Sequence, residues 1–185
     1  MTCNFPNQLT NKNFLSPVGF KFTLTKSPKV TFFCNSAKIP EITLTTELQP
    51  TYLKDLDIPG DKITYDDFTM RFIVDEDMVN YMEIHNWITG LGFPETAQQY
   101  KNLISNPDDT TQDIDLKKAF SDGSLYILDS KFNTNVVVKF KDLYPISISS
   151  LDFDATLSDI PYLTAVATFK YTVYNILDKN NKPLS

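Results

Sequence analysis

Gly60-Asp61-Lys62-Ile63-Thr64-Tyr65-Asp66-Asp67-Phe68-Thr69-Met70-Arg71-Phe72-Ile73-Val74-Asp75-Glu76-Asp77, with the apolar-periodic run that follows to Leu91, decides how this chain is read. Gly60-Asp61 carries turn chemistry, because glycine tolerates positive φ and aspartate bonds its own backbone. Phe68, Met70, Phe72 and Val74 then alternate with Thr69 and Arg71, which is the period of a half-buried strand. Asp66 and Asp67 fall in the turn that enters it. Asp75-Glu76-Asp77 places negative charge where a helix N-terminus favours it, with Asp75 or Asp77 as N-cap. Met78, Tyr81, Met82, His85 and Ile88 follow at helical spacing, and Ile84, Trp87 and Leu91 widen the stripe. The stretch predicts a turn, a strand, an acidic cap and one amphipathic helix over about 78–91, packed on a sheet.

Outward from this block the chain reads as strand and loop. Residues 1–13 are polar and Asn-rich, an N-terminal arm with little structure of its own. Phe20, Phe22 and Leu24 alternate with Lys21 and Thr23, and Val30–Cys34 reads as the returning strand of a hairpin turned at Ser27-Pro28-Lys29. Ile42 and Leu44 resume the period of two. Residues 47–60 hold Pro50 and Pro59 without a clean period, and predict a long loop or hairpin. Gly90-Leu91-Gly92-Phe93-Pro94 is a helix stop, glycines first and proline beyond. Glu95–Ile104 offers a short second helical turn or two. Residues 105–120 form a polar insertion. A hairpin joins Ser124–Leu128 to Val136–Phe140, Leu143-Tyr144-Pro145 breaks the pairing, and Thr156–Pro161 is a turn. Thr164–Ile176 is one long strand with Ala165, Ala167, Phe169, Tyr171 and Val173 on one face and Thr164, Thr168, Lys170 and Thr172 on the wet face. The sum is an α+β, mainly β domain spanning 1–185: an antiparallel sandwich or barrel with one flanking helix and long loops.

With 185 residues and 42% hydrophobic content, one core of ordinary size is expected. A net charge of −6 and a pI near 4.7 repel polyanions, which argues against tight phosphate-backbone binding. No apolar run approaches the ~20 residues that span a bilayer, and no signal-like N-terminus is present. Neither secretion by a standard signal nor membrane anchoring is expected. Cys3 and Cys34 are too few for a disulfide scaffold or a zinc site, and Cys34 reads as a buried small hydrophobe. Reducing cytoplasm is the natural folding compartment.

Chemistry is not signalled. His85 is the single histidine, so neither a His-rich metal site nor a Ser/His/Asp constellation can be assembled. Asp108, Asp109, Asp113 and Asp115 lack the glycine and closing glutamate of an EF-hand loop. No phosphate-binding glycine loop occurs. No catalytic residue, metal or cofactor is expected. The 14 Phe, 9 Tyr and 1 Trp instead suit an aromatic core, subunit contacts, or both.

Three ordered blocks resemble the tail tube protein family of contractile-tailed bacteriophages. The first is Val30-Thr31-Phe32-Phe33-Cys34-Asn35-Ser36-Ala37-Lys38-Ile39-Pro40. The second is Gly60–Thr69 with Asp75-Glu76 and Trp87. The third is Val136–Pro145 with Leu151-Asp152-Phe153-Asp154 and the long closing strand. Asp142 stands where the family pattern often has glycine, and residues 95–122 are longer than the family minimum. The resemblance implies a virion structural protein, made in the host cytoplasm, whose hexameric rings stack head to tail around a channel for DNA. A negative or neutral channel wall would let DNA slide. It implies channel-facing Thr164, Thr168, Lys170 and Thr172, inter-ring contacts at Tyr52, Leu53, Leu56 and Ile58, and outer packing by Tyr81, His85 and Trp87. Partners implied are sheath, baseplate and tail terminator proteins. A tube initiator or terminator shares the signature, and a monomeric ligand-binding β-barrel shares the strand content. Open sheet edges on the monomer separate the tube reading from the barrel.

Overall fold

The computed structural model describes residues 15–27, 34–104, 119–154, 156 and 162–184, with residues 102 and 104 described by backbone alone. The N-terminal arm, the 28–33 part of the first hairpin, the 105–118 part of the polar insertion and the turn at 157–161 lie outside these residues.

The body is built on one long antiparallel pair. Strand β7 (Thr134–Ile148) pairs first with β9 (Val173–Asp178) and then with β8 (Thr164–Lys170), so two sheets share it. One sheet runs β1 (Phe20–Leu24), β6 (Ser121–Leu128), β7, β9. The other runs β7, β8, β5 (Phe68–Ile73), β2 (Cys34–Lys38). The closing strand expected as continuous over Thr164–Ile176 is therefore two strands, interrupted at Tyr171-Thr172 and extending to Asp178. Opposite that break, Asp142 turns left-handed at φ 54°. Val138 and Phe140 face the core before it, and Leu143 and Pro145 after it. One left-handed residue thus resets the alternation, so that a single bent strand keeps apolar side chains inward in both sheets. Leu143-Tyr144-Pro145 does not break the pairing as expected. Pro145 stays opposite Phe169, and the register slips at the bulge just after it, where a missing N–H is tolerated.

The αL conformation costs an L-residue about 1–2 kcal/mol, less for aspartate. Asp142→Gly should accordingly raise the unfolding free energy by up to about 1 kcal/mol in urea melts. A loss of stability would mean the carboxylate contributes something the corner needs.

The described strands on either side of residues 28–33 make longer-range pairs. β1 pairs with β6, Phe22 opposite Leu125, and β2 pairs with β5, Ala37 opposite Met70. Phe68, Met70 and Phe72 are fully buried, as their alternation demands. Asp66-Asp67 turns into β5, with the Asp67 N–H donating to the Asp66 carboxylate at 2.9 Å. Gly60-Asp61 makes no turn. Both sit in β4 (Leu56–Tyr65), the return strand of a hairpin with β3 (Ile42–Gln49).

Helix α1 (Val79–Gly92) starts one residue later than expected, behind a left-handed Met78. The Asp75 carboxylate accepts from the Val79 N–H at 3.0 Å, so the acidic cap acts from four residues upstream. Asn80, fully buried, fastens the helix to β5. Its Oδ1 accepts from the Asp75 N–H at 3.3 Å and its Nδ2 donates to the Ile73 carbonyl at 2.8 Å. The buried face is Asn80, Ile84, Trp87 and Gly90, whereas Met82 and His85 are exposed. The apolar stripe is thus rotated from the Met78–His85 row, because Ile84 and Trp87 carry more surface to bury. Trp87 packs 6.4 Å from Phe169 and donates from Nε1 to the Ala119 carbonyl at 2.9 Å. The left-handed C-cap is Phe93 rather than a glycine, its N–H on the Thr89 carbonyl at 2.7 Å. Gly90 instead makes room for Leu103 of α2 (Ala97–Ile104), a second helix where one was expected.

Candidate assembly surfaces

The β3–β4 hairpin projects from the body. Almost every residue on it is exposed, including Ile42, Leu44, Leu48, Leu56, Ile58 and Ile63. Directly opposed residues share a face, so Leu44 stands beside Ile63 and Ile42 beside Tyr65. Of the four residues expected to make inter-ring contacts, Tyr52 and Leu53 are at the tip, 100% and 92% exposed. Leu56 and Ile58 lie on β4 just below. An isolated two-stranded ribbon is marginal in water, and an apolar one rarely stays uncovered.

Its root is bolted to the corner of the body. Tyr171 and Tyr174 donate to the Asp66 and Pro40 carbonyls at 2.9 and 3.1 Å, and the Asp66 N–H donates to the Glu41 carbonyl at 3.0 Å. Tyr65 packs edge-on against both tyrosines, at 6.1 and 5.7 Å, and Phe140 lies beneath them at 5.2 and 5.7 Å. Lys170 pairs with Asp67 at 3.5 Å. Burial, and behind it the neighbouring tyrosines, raises the titration of both Tyr171 and Tyr174. The sequence hid this cluster, since its hydrogen-bonded partners lie 105 and 134 residues apart.

The second surface is the solvent face of the β7–β8–β5–β2 sheet. Thr164, Lys170 and Thr172 are exposed and Thr168 is half-buried, all turned from the core that Ala165, Ala167 and Phe169 fill. On β5 and β2 the same face carries Arg71 and Lys38. The sequence placed Arg71 on a wet face but gave no sign that Lys38 joins it. Strands β1 and β2 each keep one edge unpaired among the described residues, while the outer edge of β9 is met by an antiparallel bridge from Leu177 to Pro183.

The outer packing residues divide. Trp87 is core, Tyr81 is half-buried with its hydroxyl donating to the Ser149 carbonyl at 3.3 Å, and His85 is in solvent. Lys26 lies 4.9 Å above the Trp87 ring, and burial lowers its pKa to about 8. Between about 8 and the ordinary 10.5, the unfolded chain holds a proton that the folded chain has released, so stability rises with pH in that window. Contact with the indole face and water at the half-exposed ammonium keep the gain to about 1 kcal/mol or less. Above the ordinary tyrosine value of 10, the raised Tyr171 and Tyr174 act oppositely, and stability falls. Urea melts at pH 7.5, 9.5 and 11 should trace this rise and fall, and Lys26→Met should flatten the rise alone. Cys34 is half-buried, its thiol pushed up to about 11 by burial.

Among the described residues no group of three His, Cys, Asp or Glu is placed to hold a metal, and no helix is long and apolar enough to cross a membrane. Among the described residues, unpaired edges, an uncovered apolar ribbon and an open polar sheet face fit an assembly subunit better than a closed monomeric barrel. The family model for phage tail tube proteins matches residues 2–177, and the chain belongs to that family. It is a structural component of the phage tail, not an enzyme. The tail tube terminator protein of Enterobacteria phage T4 is 27% identical over 184 residues, which cover 95% of this chain and 92% of that protein. Among solved structures, the tube-terminating cap of the anti-feeding prophage superposes with a TM-score of 0.58 at 14% identity, over 96% of this chain and 99% of that one. The sheath–tube complex of an extracellular contractile injection system, PVC, in the extended state gives 0.54 at 13% identity, over 90% and 93%. At these identities the structures show a shared fold.

Proposed function

We propose that this chain forms the ring that terminates the tail tube. The observation that carries this is the nearly end-to-end, 27% identical match to the T4 tail tube terminator. Six copies close edge to edge around a channel, which removes the unpaired strand edges. The whole chain serves as one domain. Thr164, Thr168, Lys170 and Thr172 line the channel that DNA passes, and the β3–β4 hairpin, through Tyr52, Leu53, Leu56 and Ile58, grips the adjoining ring of tube. Helix α1 lies on the outer side, where Trp87 and Tyr81 pack and His85 meets the sheath. A repeating tube subunit is the second reading, favoured by the family model itself.

Copy number separates the two. Quantitative mass spectrometry of purified tails should find one ring's worth of this chain, far below the sheath protein. A copy number matching the sheath would make it the repeating subunit. Without the chain, tails should still build tubes, of uncontrolled length; complete loss of tubes would likewise favour the repeating subunit.

A further inference from the structure

We propose that the solvent face of the β7–β8–β5–β2 sheet holds DNA by its phosphate backbone, through Lys38 and Arg71. This rests on the assignment of that face to the channel wall. The chain as a whole is acidic at −6, yet the strand segments that build this sheet, Cys34–Lys38, Phe68–Ile73, 143–148 and Thr164–Lys170, contain no aspartate or glutamate. Their charged residues are Lys38, Arg71 and Lys170. Lys170 is partly neutralised by Asp67 at 3.5 Å. Lys38 and Arg71 are exposed, and among the described residues neither lies within ion-pair distance of a carboxylate.

Their placement is regular. Lys38 stands opposite Thr69, and Arg71 stands opposite Ser36 on one side and Val166 on the other. The two cations are therefore diagonal neighbours, roughly 7–8 Å apart at the backbone. That is about twice the ~3.4 Å axial rise per phosphate of one DNA strand. Hydroxyls from Thr69 and Thr168 lie alongside and can donate to phosphate oxygens. The acidic balance of the chain sits elsewhere, so the wall differs from the negative or neutral surface expected from bulk charge. A local cationic face on an acidic body retains a polyanion weakly and in a salt-dependent way. Repeated around a ring at the tube end, it acts as a brake on the DNA end until release is triggered.

The test uses complete phage particles carrying the full-length chain. Thr164→Cys, on the same face, carries a photoactivated cross-linker, and a second variant combines Lys38→Gln with Arg71→Gln. The expected results are cross-linking to DNA, unchanged particle yield, and faster DNA release from the double variant at low salt. Each phosphate contact contributes about 0.9 to the slope of log affinity against log salt. Two contacts on a single subunit thus speed wild-type release about tenfold between 50 and 200 mM salt, more for each further subunit engaged, and the variant should respond distinctly less. Cross-linking to DNA with unchanged release and salt dependence would overturn the phosphate contact and leave the channel assignment standing. Cross-linking to a protein in place of DNA would make the face a protein contact and refute the proposal. Labelling of Thr164→Cys by an impermeant reagent in filled particles, without DNA cross-links, would overturn both.

Discussion

Phe68→Ala is expected to lower the unfolding free energy by about 3–5 kcal/mol, the range for truncating a fully buried phenylalanine. Phe68 is 0% exposed, and its ring lies 5.1 Å from Phe22, 4.6 Å from Phe140 and 6.2 Å from Phe169. Those partners come from β1, β7 and β8, so the one ring touches strands of both sheets. Its removal leaves a void that β5 cannot close alone, because Met70 and Phe72 are already packed on either side. A domain holds about 5–15 kcal/mol in all, so this change uses much of the reserve. For a chain of this size it should drop Tm by roughly 6–20 °C. Arg71→Ala, on the opposite face of the same strand, should stay within about 0.5 kcal/mol. A cost below about 1 kcal/mol for Phe68→Ala would show that the sheets do not share their core there.

Phe68 was legible because a half-buried strand writes its two faces into alternate residues. The same rule made the β6–β7 hairpin, the wet face of β8 and the dry face of β5 readable. Long-range pairing was not. Phe22 of β1 stands opposite Leu125, about a hundred residues on, and nothing local signals that partner. The corner at Asp142 was visible only as a departure from a family glycine, and its physical sense emerged as the left-handed φ that lets β7 serve two sheets. Helix α1 shows a different limit. Periodicity located it to within a residue, but the stripe was wide, and only the competing sizes of His85, Ile84 and Trp87 fix which side turns inward.

The assembly surfaces were the least legible part, for a related reason. Ile42 and Leu44 alternate as core residues do, and composition cannot say whether the buried side faces this chain's own core or another molecule. The hairpin they belong to has no core of its own. Its tyrosine-bolted root is fixed by Tyr171 and Tyr174, while its apolar sides stay exposed. Stability and assembly should consequently respond to different residues.

Gly60→Val tests that separation. No glycine among the described residues has a positive φ, so conformational freedom is not what Gly60 supplies. It supplies space. A β-carbon there would sit 2.5 Å from the Thr45 hydroxyl and 2.6 Å from the Thr45 carbonyl oxygen, where β3 and β4 slip register between Leu44 and Thr46. The hydroxyl could rotate aside, but the carbonyl is backbone, so the strands must part. Pairs beyond the slip, such as Leu48 with Asp57 and Gln49 with Leu56, would be lost, whereas Ile42 with Tyr65 would remain. The hairpin contributes almost nothing to the buried core, so the thermal unfolding of the body should hardly move. The tip should become cleavable in limited proteolysis at 50–55. Assembly should suffer most. Losing one well-buried aliphatic contact costs about 1.5–3 kcal/mol, or roughly 10–100-fold in association for each subunit contact. In the proposed terminal ring these losses multiply, and negative-stain microscopy should then show tails on which that ring is not seated. Thr45→Ala would relieve the hydroxyl but not the carbonyl, so it should rescue little. Normal rings from Gly60→Val protein would remove the hairpin from the interface. A large drop in Tm would show instead that the ribbon is part of the folding unit.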